Sequence, residues 1–376
     1  MNNLFIGLMS GTSMDGIDAA LAEFGESSVS IVETVSHPYP PELRERLLSA
    51  IAKPVDQEIY DVTELDRATG TAFRDAALEL LAIAGVDARE VAAIGSHGQT
   101  LRHLPNAEEP FSLQIGAPQT IADGTGVLTV GDFRSADIAA GGQGAPLAPY
   151  FHEWLMRSPG KTRCVLNIGG VANITVLNDE QATIGFDSGP GNSLMDVWIR
   201  KHKNMPFDRD GGWAAAGKVD QELLLQFLKE PYFALPPPKS TGFEHFNLAW
   251  VESHDIANVE PVDVQATLCR LSAATIAAAI KTCAAGATEV LICGGGVHNP
   301  VLRQEIATLL PDVAVDSTAA VGLDPDWVES VAFAWLAMRH LQGLPGNLPS
   351  VTGAREPVVL GRQFKPARGD TCLTLS

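Results

Sequence analysis

The chain opens on an apolar run, Leu4–Leu8, that stops at a cluster of small and polar residues, Met9-Ser10-Gly11-Thr12-Ser13-Met14-Asp15-Gly16. Ile17, Ala19 and Leu21 then alternate with more polar neighbours, which predicts strand, glycine turn, strand. The same design returns further on as Arg163–Ile168, the turn Gly169-Gly170 and Val171–Leu177. Apolar residues at i, i+3, i+4 spacing predict helices over Pro41–Ala52, Val62–Ala84, Ser193–His202, Gln221–Lys229, Val264–Ala285 and Pro300–Leu310. Short apolar runs at Val91–Ile94, Val127–Gly131, Thr183–Phe186 and Val290–Cys293 read as buried strands.

Strands alternating with helices, each half opening on a hairpin, predict an α/β protein of two related lobes with duplicated mixed sheets. A chain of 376 residues also exceeds what one core usually supports. The cluster Gly141-Gly142-Gln143-Gly144-Ala145-Pro146 marks a hinge. It places one lobe at residues 1–145 and the other at 146–376, with the C-terminal segment free to return to the first. A cleft between two such lobes is a natural ligand site.

Charge narrows the partners. Lys and Arg number 26 against 45 Asp and Glu, a net charge of −19, with no basic patch to offset it. Such a surface repels nucleic acid and anionic membranes, so a small molecule is the expected ligand. An anionic ligand would need backbone N–H groups, a cation and a few Arg or Lys against that field. The five cysteines (Cys164, Cys269, Cys283, Cys293, Cys372) are odd in number and lack CxxC spacing, which suits free thiols in a reducing compartment. With no basic leader and no membrane-length apolar run, the expected location is the cytoplasm.

The turn Gly11–Gly16 lets backbone N–H groups approach an anion, but no GK[ST] follows and the next element is a strand, so it is not a P-loop. Asp15 and Asp18 could hold Mg²⁺ through water, or serve only as turn residues. The second hairpin repeats the geometry with Asn167 and Asn173 as neutral polar groups beside Gly169 and Gly170. Two matched glycine hairpins suit a polyphosphate gripped from both lobes. Asp187, after an apolar run and before Gly189-Pro190-Gly191-Asn192, is placed either as a general base or as the cap of the following helix. Gly294-Gly295-Gly296, with Asn299 shortly after, offers bare backbone to an adenine ring. His97, beside Gln99, either touches substrate or is structural, and the histidines nowhere take zinc-ligand spacing.

Taken in order, GLMSGTSMDGID (7–18), IGSHGQT (94–100), DFRSADIAAGGQGAPL (132–147), LNIGGVANIT (166–175), GFDSGPGNSLMD (185–196), PPKSTGFEHFN (237–247), CGGGVHNP (293–300) and LPGNLPSVTGA (344–354) resemble the anhydro-N-acetylmuramic acid kinase family. The match spans nearly the whole chain. One departure is Phe243, where many members would carry Arg. The resemblance implies the two-lobed actin-like, ribonuclease H-like ATPase fold, ATP with Mg²⁺, and a homodimer. It implies that 1,6-anhydro-N-acetylmuramic acid and water become N-acetylmuramic acid 6-phosphate in cell-wall recycling. It further implies Gly11 to Asp18 as the ATP phosphate loop, Asp187 as general base, Glu329 as a second carboxylate of the cleft, and Arg134 and Gln99 at the sugar. An ordinary sugar or short-chain acid kinase of the same fold, or a non-catalytic ATP-binding switch, stays open at this point.

Overall fold

A computed structural model describes residues 3–11, 14, 16–53, 57, 61–105 and 107–367. Thr12, Ser13, Asp15 and Cys372 therefore lie outside the described residues. In chain order the strands and helices begin with β1 (Leu4–Met9), β2 (Ile17–Phe24), β3 (Val29–His37), α1 (Pro41–Ala52), α2 (Val62–Ala84), β4 (Val91–Ser96), β5 (Gln99–Leu104) and β6 (Phe111–Ile115). They continue with α3 (Pro118–Thr125), β7 (Thr129–Gly131), α4 (Ser135–Ala139), α5 (Ala148–Met156), β8 (Thr162–Ile168), β9 (Val171–Leu177), β10 (Ile184–Pro190) and α6 (Ser193–Lys203). Then come α7 (Gly212–Ala216), α8 (Gln221–Phe227), α9 (Leu248–Glu252), α10 (Pro261–Cys283), β11 (Ala287–Cys293), α11 (Pro300–Leu309) and β12 (Ala314–Ser317). The last are α12 (Val328–Leu341), α13 (Pro349–Thr352) and β13 (Arg362–Phe364).

The chain groups into two compact units, residues 1–151 with 329–376, and residues 152–328. The first holds a six-stranded sheet ordered β13-β7-β4-β1-β2-β3, the second a five-stranded sheet ordered β10-β9-β8-β11-β12. In both, the unit's first strand pairs antiparallel with its second and parallel with the strand that follows the helical crossover. The third strand extends the hairpin on the far side. This is the ribonuclease H-like arrangement built twice, the plan of the actin-like fold.

In the first unit the amphipathic face of α2 buries Leu65, Phe73, Ala76, Leu80 and Leu81 with Ile6, Leu8 and Ile17 of the sheet. Each large side chain so buried is worth about 1.5–3 kcal/mol. Helix α12 runs so close to β1 and β4 that a methyl group on Gly7 would meet the Ser330 carbonyl, and one on Gly95 that of Phe333. In the second unit α10 supplies Val264, Leu268, Leu271 and Ile276 to a core shared with Leu166, Ile174 and Phe186. Cys164, Cys269 and Cys293 are buried and Cys283 half-buried, all as free thiols. Among the described residues no helix is long and apolar enough to cross a membrane.

Candidate active site

In the first unit the glycine turn between β1 and β2 is drawn in from several sides. Ser10 Oγ donates to the Gly16 carbonyl at 3.0 Å and Arg44 Nε to the Met14 carbonyl at 2.9 Å. Gln99 Nε2, at the start of β5, reaches the Gly11 carbonyl at a long 3.4 Å. Met14 holds a left-handed φ of 52° while its side chain is buried, so packing imposes a backbone that costs on the order of 1–3 kcal/mol. Ile17 is a core residue, and any contact it makes with a ligand is through backbone. Asp18, on β2 opposite Met9 and Ser36, is half-buried.

Arg134, at the start of α4, donates from Nη2 to His97 Nε2 at 2.7 Å and from Nη1 to the Gly144 carbonyl at 2.7 Å. Burial pushes the His97 pKa down to about 3, assisted by the Arg134 charge and partly offset by the Gly98 and Ser10 backbone. A neutral ring accepting at Nε2 carries its proton on Nδ1. The ring lies 4.7 Å from that of Phe333 on α12. Burial also lowers the Arg134 pKa to about 10, opposed by the negative charges of Glu329 and Asp137. His97, Gln99, Arg134 and Glu329 thus all belong to the first unit, with the last three expected at the sugar site or cleft.

The Gly144 peptide is held at both ends. Its N–H donates to Asp137 Oδ2 at 2.7 Å while its carbonyl takes Arg134. Asp137 is fully buried, and its Oδ1 accepts from Asn347 Nδ2 at 2.6 Å and Thr352 Oγ at 2.7 Å. The motifs at 132–147 and 344–354 are therefore two sides of one clamp.

In the second unit Asp187 is not at a strand tip: β10 runs on through Gly189 and Pro190, with an irregularity in its pairing between Asp187 and Gly189. Nor does it cap α6, whose N-cap position is Asn192. Its Oδ1 accepts from Asn173 Nδ2 and its Oδ2 from the Thr241 N–H at 3.0 Å. Burial raises its pKa above the usual carboxylate range, against the lowering effects of the Thr241 N–H, Asn173 and Lys239. The Gly169 and Gly170 carbonyls accept from Asn192, Gly191 and Ser193, tying the second glycine turn to the start of α6. A methyl group on Gly191 would strike the Gly169 carbonyl. Asn167 lies opposite Asn173 in the hairpin, and a methyl group on Gly294, whose φ is +76°, would strike its Oδ1. Asn299 is the N-cap of α11, its Oδ1 accepting from Leu302 N–H at 3.0 Å. Phe243 projects with 61% of its surface exposed.

A family model described as anhydro-N-acetylmuramic acid kinase matches residues 3–366. The chain belongs to the anhydro-N-acetylmuramic acid kinase family. Relatives of that name include one from Shewanella sp. (strain MR-7), 50% identical over 364 residues, which are 96% of this chain and 98% of the relative. Another, from Xanthomonas campestris pv. campestris (strain 8004), is 50% identical over 363 residues, 95% of this chain and 96% of the relative. A solved ROK family glucokinase from Streptomyces griseus, in complex with glucose and AMPPNP, is 14% identical with a TM-score of 0.42, covering 89% of this chain and 99% of that one.

As a member of the anhydro-N-acetylmuramic acid kinase family the chain is an enzyme that transfers a phosphoryl group from ATP to a small molecule. The glycine turns fit ATP. A methyl group on Gly11 or Gly295 would meet nothing within 4 Å among the described residues, and neither has a positive φ. The packing of the described residues does not demand glycine there, whereas a phosphate or a ring lying against the backbone would. Among the described residues no group of three or more His, Cys, Asp or Glu could hold a metal. Sequence reasoning missed Asp137, Asn347, Thr352 and Thr241. All lie within the family's motif strings, but only the fold shows which of them meet.

Proposed function

We propose that the enzyme converts 1,6-anhydro-N-acetylmuramic acid, water and ATP to N-acetylmuramic acid 6-phosphate and ADP, serving the recycling of cell-wall peptidoglycan. The observation that carries this reading is 50% identity, over nearly the full length, to enzymes named for that substrate. In the anhydro sugar, O6 is tied to the anomeric carbon and cannot accept phosphate until that bond opens. We assign Asp187 as the base that takes a proton from water as the water oxygen bonds to C1. The C1–O6 electron pair then passes to O6, which bonds to the γ-phosphorus as the bond to ADP breaks. The proton leaves on Asp187 and is later released to solvent. The charge that develops on O6 is consumed by the transfer, so each half of the reaction assists the other.

Supporting roles follow from chemistry. Arg134, Gln99 and His97 bind the sugar, and Glu329 is the second carboxylate, close enough to Arg134 for their charges to interact. Backbone N–H groups of Gly11 to Asp18 and of Gly169 and Gly170, with Asn167, hold the phosphates, and Gly294, Gly295, Gly296 and Asn299 hold adenosine. Mg²⁺, kept by Asp15 and Asp18 through water, neutralises the phosphates. An enzyme of free thiols that uses ATP is assigned to the cytoplasm, and we take it to be a homodimer. The test is turnover with ATP in ¹⁸O-water, with Mg²⁺ or after chelation. One solvent oxygen at the anomeric position and loss of turnover on chelation are expected. A product phosphorylated without solvent oxygen would overturn the hydrolytic step, and turnover that survives chelation would overturn the metal's role.

A further inference from the structure

Asp187 lies on β10, the edge strand of the second sheet, directly opposite Asn173 on β9 in antiparallel register. Facing residues in such a pair hold their Cβ atoms about 4.5–5.5 Å apart, so a short amide reaches a short carboxylate without strain. The main chain of Asp187 is fixed from the open edge of the sheet. Its N–H donates to the Lys239 carbonyl at 3.0 Å, and its carbonyl accepts from the Tyr232 hydroxyl at 2.9 Å. The carboxylate itself is fixed by two donors, the Thr241 N–H on Oδ2 and Asn173 Nδ2 on Oδ1. Of these two, only Asn173 donates from a side chain.

We propose that Asn173 is a positioning residue of the phosphotransfer reaction, holding Asp187 Oδ1 so that the remaining carboxylate lone pairs face the water to be activated. The proposal rests on the assignment of Asp187 as general base. A carboxylate free to rotate about its last bond spends much of its time misaligned, and one anchored at both oxygens does not. The same hydrogen bond favours the ionised form, the only form that can take a proton. The other groups acting on Asp187 are few. Burial disfavours its charge, Lys239 favours it, Glu244 opposes it, and the Tyr232 phenol is itself pushed up by burial and the Asp187 charge, and so stays neutral. Lys239 is occupied elsewhere, donating to the Tyr232 and Phe233 carbonyls at 3.1 and 3.2 Å. Asn173 is thus the side chain that hydrogen-bonds the base and, through the same contact, favours its ionised form.

The experiment is the pH dependence of kcat/KM for the anhydro sugar in the parent, Asn173→Ala, Asn173→Ser and Asp187→Asn enzymes, with KM for ATP measured alongside. Losing a hydrogen bond to a charged acceptor should move the acid limb of Asn173→Ala upward by about one pH unit. A loosened base should lower its kcat by roughly 10- to 100-fold, with KM for ATP unchanged. Asn173→Ser, a shorter donor on the same strand, should recover part of the shift and supplies the answer if the alanine variant does not fold. An acid limb that stays in place in both Asn173 variants, whatever the rate, reduces Asn173 to a packing residue and overturns the proposal. If Asp187→Asn keeps parental turnover, the base assignment fails first. An inactive Asp187→Asn beside unmoved limbs in the Asn173 variants removes only Asn173.

Discussion

Replacing Asp137 should loosen the 141–146 loop and, through it, the sugar site, at a cost that can be worked bond by bond. Asp137→Ala removes the acceptor of three hydrogen bonds, from Gly144 N–H, Asn347 Nδ2 and Thr352 Oγ. Asn347 keeps a weaker contact to the Glu356 carbonyl at 3.4 Å, and Thr352 one to the Leu348 carbonyl at 3.3 Å. Among the described residues the Gly144 N–H has no such second acceptor, so it bears the full penalty of about 1–3 kcal/mol for a buried orphan donor, with about 1 kcal/mol for each weakened bond. The sum is roughly 3–5 kcal/mol, a large part of a domain's usual margin of about 5–15 kcal/mol. Asp137→Asn retains one acceptor oxygen but sets an amide N–H₂ against the Gly144 N–H, for about 1–2 kcal/mol. Denaturant unfolding measures the loss, and hydrogen exchange over 140–147 and 346–356 locates it, which matters because two units need not unfold together. Sugar kcat/KM should fall with KM for ATP unchanged, since the Gly144 carbonyl is one of the two acceptors that aim Arg134. An Asp137→Ala protein with the parent's midpoint and unaltered exchange at the loop would refute the clamp.

Three further outcomes are expected. Gly11→Ala, whose methyl meets nothing among the described residues, should melt with the parent yet bind ATP at least about tenfold less well, and parental ATP affinity by calorimetry would sink the cradle reading. Gly191→Ala should instead lose about 1–3 kcal/mol by collision with the Gly169 carbonyl. His97 and His152, both lowered by burial to about 3, and His103, lowered to about 4, favour the neutral native state. Their contribution to stability is present above pH 6.5 and is lost as pH falls towards 3. The melting temperature should therefore drop across that window, less steeply in His152→Gln, and equal slopes would contradict it.

Much of the fold was legible because it is written in local periodicity. Helices α1 and α2 run over the predicted residues, since their apolar spacing is regular and Pro41 and Gly85 mark a start and an end. Both hairpins were visible because a turn of small residues interrupts an apolar alternation. Strands β3, β5, β6, β12 and β13 were not, since their alternation is mixed with charged and polar residues and only pairing with neighbours fixes them. Strand β10 outran its prediction because Gly189 and Pro190 normally break strands, and an edge strand tolerates a residue without an N–H. The glycine turns and Asp187 could be named from sequence. Their supports could not: Thr241 meets Asp187 across 54 positions and Asn347 meets Asp137 across 210, distances over which no periodicity carries information.

The return of residues 329–367 to the first unit has a consequence for how the enzyme is made. The second unit is a continuous stretch of chain and can fold as soon as it leaves the ribosome. The first cannot, although its opening strands are made earlier. The faces of β1 and β4 that will receive α12, and the edge of β7 that will receive β13, stay bare until residues 328–364 emerge. For that interval the nascent sheet presents Phe5 and Ala93, which share the face of Gly7 and Gly95, with their cover incomplete. This half of the molecule is accordingly the one exposed to misfolding and to capture by holding chaperones during synthesis.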